Sequence, residues 1–580
     1  MGAVLSRLQA DLDFARASVE KIRIAEIPTF LKTYAGSPSG RLVISSGAAL
    51  LYLVRTGRIL RAIGAGILAY VTLAVTLQPQ AGLPPEMERL LPPYMRSDEW
   101  HKAVGTVSGL LDTLHTEVSP SDHLRRWLPL SIGLLWAYQH NHHPNSEVHV
   151  LSSGPCDETD GGLPPPEISR ETHRYCLFAT SAYGAIITAA TGLLSADSRT
   201  RALRSRMEQG SEAGMVRTIC ETTGISEEDV AFLRPAYETS SGHASLCPMH
   251  FVAIDSETKA VILSIRGTAS LSDALTDLLC APRKMLGGVA HDGILRSAFA
   301  VLGHVSARLV EILRDHPGFK LVVTGHSLGG GVALVLALLL KAAQEQDRDG
   351  RIPKLPLDVL IEAYAFGPPP VFTPLSELKQ EWQQGIYTFV HGMDVVPRLS
   401  FVSVLETFRR LQAIDDLKID AFTRVRAIAH PSSKVGTKVM KMIRAALGEL
   451  DSQTAVAKGN TKGFTPGGHA VLQIPGEIRV LRRLIDGKKP SMSRQISGSL
   501  EDETTSVEEM ASKQTSEHPK YRVSRCSSEQ MTEIYIALRS LTDHLPQFYE
   551  GAVRGVLENQ QQQQQHAAEA ATDASWEHIP

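Results

Sequence analysis

Residues 321–337 read LVVTGHSLGGGVALVLA, and this stretch decides how the rest of the chain is interpreted. An apolar run of strand length enters the pattern Gly325-x-Ser327-x-Gly329, and an apolar run of helical length follows it. A serine on a tight strand-to-helix turn leaves no space for a Cβ two residues to either side, so both positions require glycine. The stretch predicts a nucleophile elbow with Ser327 as nucleophile. The alternative is an ordinary Gly/Ser turn before a core helix.

The composition argues against several classes of protein. The chain has 580 residues, of which 43% are hydrophobic and 21% charged, as is ordinary for a globular protein with a large core. A formal net charge of -3 provides no overall attraction to nucleic acid. We find no Cys/His zinc spacing and no phosphate-binding glycine loop. We therefore expect no nucleic-acid partner, no bound metal and no cofactor.

The cysteines indicate a reducing environment for the folded part of the chain. Their scattered positions, several of them within apolar runs, are typical of reduced, buried thiols rather than of a disulfide framework. They are Cys156, Cys176, Cys220, Cys247, Cys280 and Cys526. The sequence therefore predicts a catalytic domain in the cytosol.

The N-terminal region, residues 1–83, is predicted to associate with a membrane. Two uncharged apolar runs, Leu42–Val54 and Ala62–Leu77, are separated by three arginines, and each is shorter than the about 20 residues that a spanning helix needs. One tilted span over Ile59–Leu83 with the arginines on the cytosolic side fits this pattern, and so does a shallow hairpin. A buried core hairpin is the alternative.

Four regions follow from the change in pattern along the chain. They are the membrane-associated region 1–83, a helical layer and linker 84–233, a catalytic domain 234–557 with a mobile, Ser/Glu/Lys-rich insertion at 487–521, and a low-complexity tail 558–580 with Gln560–Gln565. The catalytic domain is predicted to begin with a hairpin and to alternate helices with strands. The predicted elements are Met249–Ile254, Ala260–Ile265, a helix over Ile294–Arg314, and strands in Val359–Phe366, Ile386–Val390 and Ala470–Ile474. This alternation predicts an α/β-hydrolase fold with a mostly parallel central sheet.

A nucleophilic serine needs a histidine base, and the histidine needs a carboxylate. In the expected chain order Ser, Asp, His, the acid lies just beyond a strand after the elbow helix, and Asp394 has that position. Asp415 and Asp416 are distant competitors. Spacing alone leaves the histidine open, because several follow Asp394: His430, His469, His518 and His544. His326, beside the nucleophile, is expected to pack or hydrogen-bond locally rather than to transfer protons.

Several ordered motifs resemble the class 3 lipases, and within them the sn-1-specific diacylglycerol lipases of eukaryotes. They are the elbow, Ser264-Ile-Arg-Gly-Thr268, Asp273-Ala-Leu-Thr-Asp-Leu278, Gly392-Met-Asp-Val-Val-Pro-Arg398, Ile474-Pro-Gly476 and Asp543-His-Leu-Pro546, spread over about Tyr175–Leu557. The resemblance assigns the catalytic histidine to His544. It also implies a flexible regulatory insertion, which matches residues 487–521, but the four transmembrane helices of the animal enzymes are not carried over.

The expected activity is a membrane-associated serine lipase. Two backbone donors would hold the oxyanion: Leu328, the residue after the nucleophile, and Thr268, which the class 3 pattern Arg-Gly-Thr implies. The resemblance implies diacylglycerol as substrate, cleaved to monoacylglycerol and fatty acid at a membrane or lipid-droplet surface. Alternatives are a phospholipase A1 or galactolipid lipase of the same fold, and a non-catalytic, lipase-like membrane scaffold.

Overall fold

The apolar run before Ser327 forms a strand, Lys320–His326, in the middle of a sheet, and every residue of it after Lys320 is buried. Such a strand is covered by helices on both faces. The computed structural model describes residues 130–139, 167–185, 212–234, 247–267, 282–345, 352–458, 463–465, 469–483, 521–536 and 543–576. All of these belong to one compact unit of the chain.

Strands and helices alternate through the described residues. The strands are β1 (Val230–Arg234), β2 (His250–Asp255), β3 (Ala260–Ile265), β4 (Pro282–Met285), β5 (Gly288–His291), β6 (Lys320–His326), β7 (Ile361–Phe366), β8 (Phe372–Thr373), β9 (Ile386–His391), β10 (Glu477–Arg483) and β11 (Tyr521–Cys526). The helices are α1 (Arg170–Ser181), α2 (Glu212–Thr223), α3 (Asp292–Asp315), α4 (Leu328–Glu345), α5 (Gln380–Gln383), α6 (Phe401–Asp416), α7 (Ala421–Ala429), α8 (Lys434–Lys458) and α9 (Pro546–Trp576). Residues 130–139 are also largely helical.

The main sheet has eight strands in the order β1-β2-β3-β6-β7-β9-β10-β11. Its five central strands, β3, β6, β7, β9 and β10, run parallel to one another. Strands β1 and β2 at one side and β11 at the other pair antiparallel to their neighbours. A second, antiparallel sheet has the order β4-β5-β8. The prediction of an α/β protein with a mostly parallel central sheet is confirmed.

Alternate residues of the central strands enter two different cores. Val261, Leu263 and Ile265 of β3 pack in a cluster with α3 and α4, whereas Ile262 packs in a cluster with α1, α2 and α9. This period of two is the geometry of a strand with both faces buried. Helices therefore cover the sheet on both sides and leave the ends of the parallel strands to carry functional loops.

The turn between β6 and α4 holds Ser327 at a positive φ of 59°. A Cβ on Gly325 would lie 2.5 Å from the carbonyl carbon of Gly329, and a Cβ on Gly329 would overlap the carbonyl oxygen of Ile265 in the neighbouring strand. The Ser327 N–H donates to the carbonyl of Phe366 at 2.8 Å. The two glycines are therefore needed for close contact between backbones, as the spacing predicted.

Most predicted elements of the catalytic domain are confirmed within one to three residues. The predicted hairpin corresponds to β2 and β3, the predicted helix to α3, and two of the later predicted strands to β7 and β9. The prediction of a strand at Ala470–Ile474 is wrong, because this segment makes only isolated bridges through Ala470 and Gln473. The chain turns at Gly476, whose φ is 82°, and β10 follows. Its buried residues Ile478, Val480 and Leu481 and its three arginines follow no regular period of two, so no clear strand pattern is visible in the sequence.

Three further segments differ from the patterns assigned to them. Strand β1 lies inside the stretch assigned to the linker, and it forms the edge of the main sheet. Tyr521, the last residue of the predicted insertion, begins β11, while the rest of the insertion lies outside the described residues. The glutamines 560–565, assigned to a low-complexity tail by composition, are part of helix α9.

The predicted membrane-associated region, residues 1–83, lies outside the described residues. In the described part of the chain, α3 and α4 are long and apolar enough to cross a membrane by length and composition alone. Both helices contribute buried residues to the core against the sheet. Packing on the sheet therefore accounts for their apolar character.

Replacement by alanine should have opposite effects on stability at the elbow glycine Gly329 and at the surface glycine Gly303. Gly329→Ala should lower the free energy of unfolding by about 1–3 kcal/mol, because the new methyl group meets the backbone of Ile265. Gly303→Ala, in helix α3 with no atom within 4 Å of its new Cβ, should raise that free energy by roughly 0.5–1 kcal/mol. Urea unfolding measures both. A Gly329→Ala protein as stable as wild type would contradict the close contact.

Candidate active site

Three residues from distant parts of the chain meet at the carboxyl ends of the parallel strands. Ser327 follows β6, Asp394 follows β9, and His544 precedes α9. The His544 Nε2 lies 2.8 Å from the Ser327 Oγ, and its Nδ1 lies 2.9 and 3.1 Å from the two carboxylate oxygens of Asp394. The serine and histidine are 217 residues apart in the sequence, so the fold alone brings them together.

Asp394 is fully buried and is surrounded by hydrogen-bond donors. Its Oδ1 accepts from the N–H of Val396 at 2.9 Å, and its Oδ2 accepts from the hydroxyl of Tyr549. Burial, with the charge of Asp394 as a second cause, raises the pKa of Tyr549 well above its ordinary value, so this hydroxyl stays protonated and donates. These donors hold the carboxylate in a fixed position beside His544.

The turn that carries His544 is tied to the end of β9. The Asp543 carboxylate accepts from the N–H of Met393 at 2.9 Å, and the Asp543 carbonyl lies 3.1 Å from the His391 Nδ1. A carbonyl can only accept, so His391 is protonated at Nδ1. Two bonds on one residue therefore fix the turn next to Asp394, which fixes where the His544 ring can lie.

His326 hydrogen-bonds to the backbone of His544. Its Nε2–H donates to the carbonyl of His544 at 2.7 Å, and its Nδ1 accepts from the hydroxyl of Tyr183 at 2.8 Å. Burial, followed by the neighbouring His544, lowers the pKa of His326 well below its ordinary value, so the ring is neutral. The sequence predicted that His326 packs or hydrogen-bonds locally rather than transferring protons. One of its two ring hydrogen bonds joins it to a residue 218 positions away in the chain.

The structure describes one of the two expected oxyanion donors. Leu328 is the first residue of α4, so its N–H has no carbonyl one turn earlier in the helix to bind. Thr268 lies outside the described residues. Its neighbour Gly267 packs against the elbow, where a Cβ on Gly267 would lie 2.5 Å from the His326 carbonyl oxygen and 2.9 Å from the Ser327 Cβ. Gly267 therefore lies directly beside the nucleophile.

The competing acids and histidines have other partners. Asp415 forms a buried ion pair with Arg424 at 2.8 Å, and Asp416 accepts from the side chain of Gln412. His469 packs on the ring of Phe401, and His430 ends helix α7. His518 lies outside the described residues.

Three contributors to the site were missed in the sequence. Tyr183, Tyr549 and Asp543 each hydrogen-bond a member of the site or its turn, yet each lies in a stretch that gives only a helical or turn pattern. Asp543 stands directly before His544, and that adjacency was the one available signal. Tyr183 precedes its partner His326 by 143 residues, a distance at which no local pattern operates.

This arrangement is suited to acyl transfer. With Nδ1–H donating to Asp394, the His544 Nε2 is free to accept the hydroxyl proton of Ser327 as the oxygen attacks a carbonyl. The buried carboxylate stabilises the imidazolium that forms. The backbone N–H of Leu328, at the first position of α4, is the donor expected for a developing oxyanion.

The hydrogen bond from His326 to His544 predicts different activities for two substitutions of His326. His326→Leu should lower kcat/KM on a soluble ester about 10- to 100-fold, because a lost bond of ~1–3 kcal/mol releases the His544 backbone. His326→Gln keeps a donor and should retain most activity. Because its pKa is depressed, His326 stays neutral as the pH falls, so His326→Gln should leave the acid limb of the kcat/KM profile in place. An acid limb shifted by His326→Gln would contradict this.

Comparison with known proteins gives a family and several relatives. Residues 262–404 match the family model described as Lipase (class 3). Diacylglycerol lipase-beta of Mus musculus is 28% identical over 330 residues, which cover 52% of this chain and 44% of the relative. Diacylglycerol lipase-alpha of Homo sapiens is 35% identical over 182 residues, covering 29% of this chain and 16% of the relative. The chain spans less than half the length of either relative.

Fungal lipases match as well. Secreted mono- and diacylglycerol lipase 1 of Fusarium solani is 32% identical over 153 residues, covering 26% of this chain and 42% of the relative. A solved structure of the Rhizomucor miehei lipase propeptide complex matches with 22% identity and a TM-score of 0.29, covering 43% of this chain and 66% of that one. The family segment includes Ser327 and Asp394 but ends before His544. The resemblance seen in the sequence is confirmed: residues 262–404 match the class 3 lipase family, and diacylglycerol lipases are among the relatives of this chain.

Proposed function

We propose that this chain is a serine lipase of the α/β-hydrolase fold that hydrolyses acyl esters of glycerolipids. One observation carries the proposal: a single imidazole, that of His544, lies within hydrogen-bond distance of both the Ser327 hydroxyl and the buried Asp394 carboxylate. A nucleophile, a base and an orienting acid in this geometry are what acyl transfer requires.

The reaction has two half-reactions. In the first, the Ser327 oxygen attacks the ester carbonyl while His544 takes its proton, and Leu328 and Thr268 hold the oxyanion. The imidazolium then gives that proton to the leaving glycerol oxygen, which leaves an acyl group on Ser327. In the second, His544 takes a proton from water, the hydroxide equivalent attacks the acyl-enzyme, and the proton returns to the serine oxygen as the fatty acid leaves.

Diacylglycerol is the proposed substrate, with monoacylglycerol and a fatty acid as products. The names of the mouse, human and Fusarium relatives support this choice. The triad itself would serve any carboxylic ester, so chemistry alone does not select the lipid. A phospholipase A1 or galactolipid lipase of the same fold is the alternative within the enzyme class.

The exposed side chains next to His544 favour a lipid surface as the working environment. Leu545 and Phe548 are large hydrophobic residues with 40% and 42% of their surface exposed. Both lie within four residues of His544. Apolar side chains in this position would enter the surface of a membrane or droplet and bring the triad to its substrate. We propose that the enzyme acts at such a surface, held there by residues 1–83, with the catalytic domain in the cytosol.

A non-catalytic lipase-like scaffold is the second candidate. It would bind lipid without needing a serine, a histidine and a carboxylate in hydrogen-bond contact. The geometry of the triad therefore disfavours the scaffold.

The activity proposal predicts loss of hydrolysis in two variants. On micelles of diacylglycerol, triacylglycerol, phospholipid or galactolipid, wild type should release fatty acid fastest from diacylglycerol. Ser327→Ala and His544→Ala should each reduce kcat on the order of 10⁴-fold or more, because the two residues act as a unit. Ser306→Ala in α3 and His316→Ala directly after its last residue are matched controls that should retain activity. Equal loss in these controls would indicate misfolding.

The lipid panel separates the remaining alternatives. Faster turnover of phospholipid or galactolipid than of diacylglycerol would replace the substrate but keep the triad. Near wild-type activity in His544→Ala would reject His544 as the base. Folded wild-type protein that releases no fatty acid from any of the four lipids would favour the scaffold.

The exposed apolar pair predicts an effect confined to lipid surfaces. Leu545→Ser combined with Phe548→Ser should reduce hydrolysis on vesicles on the order of 10-fold, because each side chain would contribute about 1 kcal/mol of transfer free energy on entering lipid. Hydrolysis of a soluble short-chain ester should stay within about twofold of wild type. Leu357, exposed at 76% in the loop before β7, provides the control Leu357→Ser. Equal losses on both substrates would show that the pair shapes the active site rather than the lipid contact.

A further inference from the structure

A cysteine and two histidines meet where β2 lies against helix α3. His250 is the first residue of β2, Cys247 lies three residues before it, and His304 lies in the middle of α3. One ligand atom from each residue lies within 4.8 Å of the other two, and the Cys247 Sγ is 3.3 Å from the His304 Nδ1. The cluster is separate from the triad and takes no part in the proposed reaction.

His250 has the hydrogen-bonding pattern of a metal ligand. Its Nδ1 lies 2.8 Å from the Pro248 carbonyl, which can only accept, so Nδ1 carries the proton and Nε2 presents a lone pair. The side chain is fully buried, and Nε2 has no hydrogen-bond partner within the described structure. A backbone carbonyl that fixes one ring nitrogen while the other binds metal is the usual support of a ligating histidine. An unpaired buried acceptor is otherwise rare.

The protonation states also suit metal binding. Burial lowers the pKa of His250 to about 4, and burial together with Arg234 lowers the pKa of His304, so both rings are neutral at neutral pH. Burial raises the pKa of the Cys247 thiol, and a bound cation would remove that proton. The charge of Arg234 acts to lower the pKa of each group, but at Cys247 burial outweighs it. The Arg234 charge also repels a cation, so the three ligands must supply the attraction.

We propose that Cys247, His250 and His304 bind one divalent transition-metal ion of the zinc class. The ligands would be one thiolate and two imidazole nitrogens, with water in the fourth tetrahedral position, and the thiol proton would pass to solvent on binding. Zn–S and Zn–N bonds place such ligand atoms about 3.4–3.6 Å apart. The Cys247–His304 separation is already close to that value, and the rest of the cluster needs only a small contraction.

The position in the fold indicates what the ion would do. His250 pairs with Ile265 of β3, and Ile265 pairs with Gly325 of the elbow strand, so the three residues form one row across the sheet. Two strand spacings, about 10 Å, separate the ends of this row. The Met249 carbonyl accepts from the N–H of Arg266, which leads into the presumed oxyanion loop. An ion joining β2 to α3 would therefore brace β2, the strand between the edge strand β1 and β3, on the side of the sheet that leads to the active site.

Cobalt binding to the full-length chain tests the site without measuring lipase activity. Protein reduced with a phosphine, stripped with a chelator and titrated with Co²⁺ should bind one ion per chain. It should show a thiolate-to-cobalt charge-transfer band and the visible bands of a tetrahedral site. Zn²⁺ should displace the cobalt, abolish both bands and raise the melting temperature.

The variants locate the ion. Cys247→Ser should abolish the charge-transfer band. His304 is exposed, and His304→Gln removes a proposed ligand. This variant should weaken Co²⁺ binding by more than the roughly 10- to 100-fold that is typical when only a hydrogen bond to a ligand is lost. Cys220→Ser and His316→Gln, a thiol and an imidazole outside the cluster, are controls that should bind as wild type does.

Two results would overturn the proposal. Reduced, folded wild type that shows no charge-transfer band with Co²⁺ would mean that Cys247 and His304 form only a thiol–imidazole hydrogen bond. A band retained in Cys247→Ser, or unchanged affinity in His304→Gln, would place the metal elsewhere. Neither result depends on whether the chain hydrolyses lipids.

Discussion

The backbone conformation of Ser327 is the constraint on which the rest of the site depends. A non-glycine residue at positive φ carries about 1–3 kcal/mol of strain, which persists only where surrounding structure enforces it. Three strands enforce it here: Gly329 lies against Ile265 of β3, Gly325 lies against Gly329, and the Ser327 N–H is bonded to Phe366 of β7. The parallel order β3-β6-β7 is therefore what presents the serine above the strand ends.

The proposed base, His544, lies 217 residues after the serine in the sequence. Its position is set by backbone bonds rather than by the imidazole itself: His326 holds the His544 carbonyl, and Asp543 is bonded to Met393 and His391 at the end of β9. The C-terminal turn thus docks onto the ends of two central strands. Long segments between Asp394 and His544 can then vary without moving the ring, provided that this docking is kept.

How much of this the sequence predicts depends on the range of the interactions. The elbow and Asp394 follow from local patterns, because a close backbone contact needs glycine and the acid follows a strand. His544 was assigned only through the resemblance, since four histidines satisfied the order. The bonds from Tyr183 and Tyr549, and the meeting of Cys247 and His250 with His304, join side chains that no local period connects. Strand β10 was missed because its arginines interrupt the period of two that marks a strand.

The central claim is that Ser327 is an activated nucleophile. Its most direct test is labelling of the folded protein with a fluorophosphonate, followed by identification of the modified peptide by mass spectrometry. We predict one phosphonylated residue, Ser327, with labelling absent in Ser327→Ala and slowed by orders of magnitude in His544→Ala. Modification of a different serine, or no modification of folded wild type, would contradict the account.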